Sequence, residues 1–497
     1  MAMRLRRLSD IDAPDEKAPF LSALARLAAL RDESDVRLRD YFAPDIPMHV
    51  ARAPGRLDVM GGIADYSGAL VLQLPLARST FAILQRQSAP RCDIASRRAD
   101  GWDHFSIDLK LIVEGELRER ATLARWFAGL TSDRWAAYVV GAVQHCLQRA
   151  PTTDSTALPG LRLLIESDVP EGKGISSSAA LEVATMTAVA SSYGVDLDAQ
   201  QIAAACQLVE NEVVGAPCGI MDQMTSACGQ HDRLLRLLCQ PGTIEGYVEI
   251  PPGYRFYGID SGVRHAVTGA DYGTVRTAAF IGYRMIADTA GLAVTRDNER
   301  MLIEDPLWHG YLANVSPREF ADRFEPLLPD SMSGAEFLAR YGGITDQATR
   351  VDPTRMYPVR RAAAHPVHEH ARVERFADVL EGLASNREAA VELGQLMRAS
   401  HDSYGSVGLG SAGTDRLVEL VMSAGEQYDV FGAKITGGGS GGTVAVLGTT
   451  GAEPVVREIA MRYSDETGLS ADVFVESGPG AEQTGVLLVE RTTHDTD

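Results

Sequence analysis

Apolar runs punctuated by glycine, proline and serine recur along the chain, and each change of pattern marks an element. Leu161 to Ile165 is a short apolar run that predicts a strand. Pro170, Gly172 and Gly174 break it, and Ser176, Ser177 and Ser178 lead into Ala179 to Tyr193, a stretch rich in Ala, Leu, Val and Met with neither Gly nor Pro. That composition predicts a helix. Met48 to Leu76 places apolar strands on either side of a glycine-punctuated turn holding Arg56, Asp58, Asp65 and Tyr66. Such a turn is longer than an ordinary hairpin needs and reads as a binding loop. Trp135 to Cys146 has the spacing of a core helix, whereas Phe20 to Leu30 predicts a surface helix in a charged lead-in. A further helix begins near Ile202, carries Glu210 and Glu212 and stops at Gly215, after which Pro217 and Gly219 shape a loop toward Asp222. Beyond a strand near Tyr254 lies a polar loop with Arg264, His265 and Tyr272. Residues 290 to 355 are charged, interrupted by proline and carry no assignable chemistry. A helix from Thr414 to Ala424 stops at Gly425, and Ala433 to Leu447 sets a glycine loop between two apolar strands.

At 497 residues the chain predicts two or more domains, each able to bury a core. Its net charge of −20 argues against nucleic acid or an anionic membrane as the main partner, and leaves room for a local phosphate pocket. Lysine occurs only at Lys17, Lys110, Lys173 and Lys434. The last two fall in glycine-rich stretches, where an ammonium could meet phosphate or stand there by chance. Six cysteines without a CxxC pair fit a reducing compartment, and with no transmembrane run and no apolar leader the expected location is cytoplasmic.

A strand, a glycine loop and a helix in that order aim unpaired N–H groups and the positive helix end at one point, which suits an anion. The bland alternative is a connection that needs glycine only for its geometry. Glu210 and Glu212 stand at a helix C-terminus, where the dipole is unfavourable for them and a compensating cation is expected. Near a phosphate site such acids suggest a magnesium ligand and a base, although Glu212 reads as a solvated helix end. His365, His368 and His370 mimic a metal cluster, but Pro366 and the absence of a nearby cysteine argue against one. Gly437, Gly439 and Gly442 satisfy GxGxxG, yet a strand follows where a dinucleotide site needs a helix. Neither a Walker loop nor the protein-kinase signatures are present.

Taken together, Ala53 to Gly68 (APGRLDVMGGIADYSG), Pro170 to Leu181 (PEGKGISSSAAL) and Ala433 to Gly442 (AKITGGGSGG) resemble, in content and order, the three motifs of the GHMP sugar-kinase superfamily. Gly215 to Gln223 and Asp260 to His265 resemble its galactokinase-like branch, and the whole is nearest the arabinokinases. The resemblance implies a two-lobed α/β (α+β) fold: a ribosomal-protein-like lobe over 48–245, a ferredoxin-like lobe over 246–497 with an insertion at about 290–355, a lead-in at 1–47, and the active site between the lobes. It implies ATP and Mg²⁺ as cofactors and a small sugar as partner. Carried over by position, Asp222 is the base that takes the C1 hydroxyl proton, and Arg56 holds it and offsets transition-state charge. Gly172, Lys173, Gly174, Ser176, Ser177 and Ser178 form the ATP-phosphate cradle. Ser178, with Ser177 as the alternative, and Glu210 ligate magnesium. Asp65 and Tyr272 contact sugar hydroxyls, and Gly438 and Gly439 line the site from the second lobe.

One departure bears on the substrate. Galactokinases carry a Glu-His pair where this chain has Gly62 and Ile63, and that carboxylate contacts the C6 hydroxyl of galactose. L-Arabinose keeps the ring hydroxyl arrangement and lacks C6, so a pentose site gains by deleting a carboxylate that would be buried without a partner. The expectation is phosphorylation of L-arabinose at C1 to give β-L-arabinose 1-phosphate. Galactokinase and uronic-acid kinase activities are the alternatives, and a non-catalytic ATP- and sugar-binding sensor is the alternative of another class.

Overall fold

The computed structural model describes residues 5–7, 18–151, 159–264, 270–297, 300–383 and 387–490. Lys17 and His265 lie outside them. The first sheet has nine strands: β1 (Leu5–Arg7), β2 (Met48–Met60), β3 (Leu70–Gln87), β4 (Arg91–Arg98), β5 (Gly101–Asp108), β6 (Gly160–Ser167), β7 (Arg233–Leu238), β8 (Thr243–Glu249) and β17 (Val486–Val489). Its order is β1-β17-β2-β3-β6-β4-β5, with β7 also paired to β3 and β8 to β7. Pairing is antiparallel except at β1/β17 and β4/β6. The second sheet, in the order β14-β15-β9-β16, comprises β9 (Tyr254–Asp260), β14 (Val430–Ile435), β15 (Thr443–Thr449) and β16 (Val473–Phe474). Two short antiparallel pairs, β10 (Ala293–Asp297) with β11 (Arg300–Glu304) and β12 (Met332–Ser333) with β13 (Met356–Tyr357), fall in the expected insertion. The two lobes are therefore interlocked: β8 straddles the expected boundary at 245, and β17 returns from the C-terminal region to pair with β2.

Helices α1 (Leu21–Ala29), α2 (Arg120–Ala128), α3 (Ala136–Leu147), α4 (Ser177–Tyr193), α5 (Ala199–Val209) and α6 (Met221–Cys228) belong to the first lobe. Helix α4 is buried along most of its surface, the polar side chains of Glu182, Thr185 and Thr187 included, and packs among α3, α5 and α6 under the sheet. It ends where Gly194 takes a left-handed conformation, which glycine does without a Cβ penalty. Helix α5 begins with a capping box in which Asp198 and Gln201 satisfy each other's backbone N–H. Helix α1 does not lie free on the surface as its charged surroundings suggest. Phe20, Ala23, Leu27 and Leu30 are buried against Phe81, Ile83, Leu164 and Leu487, because the outer face of the sheet is apolar and needs a cover.

The longer helices after β9 are α7 (Ala270–Thr289), α8 (Val359–Glu381), α9 (Arg387–Ser406), α10 (Ala412–Ala424) and α11 (Glu453–Thr467), with a shorter one at Gly334–Tyr341. Helices α10 and α11 cover one face of the second sheet, and α10 starts two residues before Thr414, capped by Ser411 in a capping box that Thr414 completes. A third core joins the lobes, with Leu57, Val59 and Leu72 of the first sheet meeting Phe256, Phe376, Leu393, Phe431 and Phe474. Residues 290–355 wrap α7 through Trp308, Phe320, Phe324 and Phe337. Among the described residues, no helix is long and apolar enough to cross a membrane, and all six cysteines are free.

Candidate active site

Strand β2 carries the first functional side chains. The expected long turn is shorter than its sequence suggests: Arg56 and Asp58 lie within the strand, and only Gly62–Ser67 forms the turn, as a 3₁₀ helix. Ladder register slips between Pro54 and Arg56 and again between Asp58 and Met60. Bulges of this kind re-aim side chains, and Arg56 stands between the two. Gly55 lets the strand approach the glycine loop, since a Cβ there would lie 2.7 Å from the Ile175 carbonyl. The Arg56 N–H donates to that same carbonyl at 3.1 Å.

The Arg56 guanidinium is buried and donates from Nε to Asp222 Oδ1 at 2.9 Å and from Nη1 to the Gly174 carbonyl at 2.6 Å. Its Nη2 also reaches Asp222 Oδ1, at 2.7 Å. Both contacts to the aspartate end on Oδ1, so Oδ2 is available to take a proton from a bound hydroxyl. Asp222 sits in the first turn of α6, on the favourable side of the helix dipole.

The loop before α4 puts Gly172, Gly174 and Ser176 in left-handed conformations, with φ of 71°, 72° and 59°. Ser176 makes no cap with its side chain, and its Oγ is buried without a partner. The N-terminus of a 17-residue helix is thus joined by a curved loop, a cradle suited to phosphate oxygens. Gly172, Gly174, Ser176, Ser177 and Ser178 line one pocket with Arg56, Ile63, Asp65, Glu210, Asp222, Tyr272 and Gly438. Groups far apart in the chain therefore converge on one cleft between the lobes.

Three expected residues stand elsewhere. The Lys173 ammonium turns back to pair with Asp260, a buried carboxylate at the end of β9. Gly62 lies behind Ile63, against Tyr404, and Gly439 faces the Leu409 carbonyl and the Tyr404 ring, leaving Gly437 and Gly438 as the second lobe's contribution to the lining. Lys434 does not line the cleft either: it lies on β14, fully buried, with Nζ 2.7 Å from Asp58 Oδ2. Glu212 is half-exposed and paired with Arg120 at 2.9 Å, in keeping with a solvated helix end. Among the described residues, no group of three or more His, Cys, Asp and Glu side chains forms a metal site. His365 is taken up by Ser403 at 2.7 Å, and His370 Nδ1 accepts from the Leu70 N–H at 2.9 Å.

The cleft is rich in negative charge. Burial raises the Asp65 carboxyl to about 7, helped by the Asp222 charge and opposed by Arg276. Its Oδ1 has no partner. Burial and Asp222 likewise raise Glu210 to about 7, against hydrogen bonds from Ser178, Cys218 and Gln223. The Gln223 bond is 2.6 Å long. A buried acid beside a serine hydroxyl, with another carboxylate facing both, is a donor set that fits a hard cation taking one or two protein oxygens. Helix α7 and the insertion supply a residue that sequence reasoning missed. Arg276 is held bidentately by Asp346, at 2.8 and 2.7 Å, donates to the Cys218 carbonyl at 3.0 Å and lies 5.5 Å from the Tyr66 ring. Nothing in either local sequence announces a pair 70 residues apart. A second cavity opens off the same loop, sharing Gly172, Ser177 and Ser178 and lined by Ser96, Trp135, Tyr138 and Leu181.

Residues 137–230 match the GHMP kinases N terminal domain, 380–464 the GHMP kinases C terminal domain, and 39–86 the galactokinase galactose-binding signature. The chain belongs to the GHMP kinases. It is 39% identical, over a 539-residue alignment covering 97% of it, to an L-arabinokinase of Arabidopsis thaliana. The chain spans about half the length of that curated relative, 52% of which is aligned. In fold, this GHMP kinase resembles Lactococcus lactis galactokinase complexed with galactose, with a TM-score of 0.66 at 19% identity over 93% of this chain and 98% of that one. It also resembles Methanococcus jannaschii mevalonate kinase, with a TM-score of 0.52 at 14% identity over 86% and 98%.

The raised acids give the GHMP kinase a testable pH dependence. Asp65 and Glu210 hold protons in the folded state that they lose near pH 4 when unfolded. Stability is therefore full below the ordinary carboxylate range and falls as pH rises toward about 7, by up to about 1.4 kcal/mol per pH unit for each group. Thermal melts of the ligand-free protein are expected to show a lower Tm at pH 8 than at pH 5.5. Asp65→Asn and Glu210→Gln should each flatten that slope, and an equally steep profile in both variants would contradict the assignment.

Proposed function

We propose that this chain is an ATP-dependent sugar 1-kinase that phosphorylates L-arabinose at its anomeric hydroxyl. The observation that carries the reading is the meeting of the Arg56–Asp222 pair, the serine-bearing loop and Glu210 in one cleft that Ile63 also lines. In this reading Asp222 Oδ2 accepts the C1 proton, while Arg56 holds the carboxylate in place and offsets negative charge on the transferring group. Positioning dominates, as phosphoryl transfer demands little covalent chemistry of the protein. The loop from Gly172 to Ser178 cradles the phosphates. The adjoining cavity, walled by Trp135 and Leu181, suits a planar base such as adenine. Ser178 and Glu210 are the residues to hold Mg²⁺, which would neutralise phosphate charge and relieve the crowded acids. Asp65 and Tyr272 are placed to meet sugar hydroxyls.

The choice of pentose rests on the wall at 62–63 and on the likeness to an L-arabinokinase. Ile63 offers an exocyclic hydroxymethyl group no hydrogen bond, so a hexose would bury that hydroxyl unpaired. The test is kcat/KM for L-arabinose against D-galactose with ATP. Arabinose is expected to win by about 10- to 200-fold, the range of one misfitted group. Equal or better use of galactose would overturn the substrate. Ligand-induced stabilisation with no ADP release from any sugar would instead identify a binding protein.

A further inference from the structure

The wall at Ile63 is held from behind by a residue outside every motif above. Tyr404, on α9, is completely buried, and its hydroxyl accepts from the Ile63 N–H at 2.8 Å and donates to the Gly437 carbonyl at 2.8 Å. Ile63 and Gly437 both line the cleft, one from each lobe. A single oxygen therefore joins the two walls.

The phenol also occupies the space a side chain at position 62 would need. A Cβ on Gly62 would lie 1.6 Å from Tyr404 Oη and 2.8 Å from Cζ. The ring cannot swing aside to make room. His365 packs edge-on against it at 5.3 Å, Lys434 Nζ lies 5.3 Å from its centroid, and a Cβ on Gly439 would meet its Cδ1 at 3.2 Å. Burial, with the Asp58 charge adding to it, pushes the phenol well above its usual value, so the hydroxyl keeps the proton it donates.

We propose that Tyr404 is the positioning residue that sets sugar selectivity: by excluding any side chain at 62 and anchoring the Ile63 backbone, it fixes an apolar wall where a hexose would carry its exocyclic carbon. The proposal rests on the sugar-kinase reading, and its test separates the two. Tyr404→Phe removes both hydrogen bonds and little volume. It is expected to raise the KM for L-arabinose at least about tenfold, leave the KM for ATP unchanged, and narrow the arabinose-to-galactose ratio of kcat/KM. A phenol serving stability alone would lower Tm and slow both sugars equally, and an unchanged ratio overturns the proposal.

A second comparison removes dependence on one variant. Gly62→Ala should be severely impaired with Tyr404 in place, and adding Tyr404→Leu should restore arabinose turnover above that of Gly62→Ala alone. A double variant no better than Gly62→Ala refutes the steric pairing. If the wild-type chain phosphorylates neither sugar, the sugar-kinase reading fails and the selectivity claim with it. Activity with an unaltered ratio sinks the selectivity claim only.

Discussion

Replacing Asp222 with asparagine is expected to lower kcat for L-arabinose phosphorylation by about 10²- to 10⁴-fold, the usual contribution of a positioned general base. Binding of ATP should change little, because Arg56 keeps its bond to the Gly174 carbonyl and the cavity beside Trp135 does not include that carboxylate. Asparagine keeps an oxygen for the Arg56 Nε and Nη2 donors, which reach Asp222 Oδ1 at 2.9 and 2.7 Å, so the geometry survives while the basic oxygen is lost. Single-turnover measurements separate the chemical step from product release. Turnover within threefold of wild type, about 0.65 kcal/mol of barrier, would remove Asp222 from the role of base.

The largest effect on stability is expected two residues along β2 from Arg56, at Asp58. Asp58 and Lys434 are both fully buried and 2.7 Å apart. Burial pushes the Asp58 carboxyl up, but the Lys434 and Arg56 charges and hydrogen bonds from Lys434 and Gln73 more than offset it, and the group is lowered. Asp58 Oδ1 accepts from Gln73 Nε2 at 2.7 Å and the Gly62 N–H at 3.1 Å, and Oδ2 from the Gly437 N–H at 3.2 Å. Lys434→Met would strand that carboxylate without its cation, at a cost of about 3–5 kcal/mol, or a Tm lower by roughly 5–10 °C. Asp58→Asn combined with Lys434→Met removes both charges and should recover part of the loss, a coupling on the order of 0.5–3 kcal/mol. A single variant melting with the wild type would show that the pair contributes nothing.

How much of this was legible in the sequence follows from the range of the forces involved. Helix α4, its glycine loop and the Gly194 stop are local, written in composition and in residues that tolerate left-handed backbone, and they lie where the pattern puts them. Glu210, Gly215 and the loop to Asp222 are equally local. The pairing partners were not. The Lys434 ammonium sits among glycines in sequence, and only the β2–β14 approach shows that it answers Asp58, 376 residues away. Lys173 looks like a phosphate ligand until β9 brings Asp260 to it. Arg276 with Asp346, and Tyr404 with Gly62, are likewise tertiary facts without a local signature. The burial of helix α1 has no local signature for the related reason that its cover, the outer face of β3 and β6, is distant in the chain. The glycine motifs locate the loops that line the cleft, whereas the support behind Ile63 is assembled from contacts that no short window contains.

The position of β17 has a bearing on how the protein is made. Val486–Val489 inserts between β1 and β2, so the opening sheet lacks an interior member until the whole second lobe has emerged from the ribosome. Domains ordinarily complete themselves in order of synthesis. Here the earlier one waits, its β2 edge unpaired on that side, which makes nascent and truncated forms natural clients for chaperones and proteases.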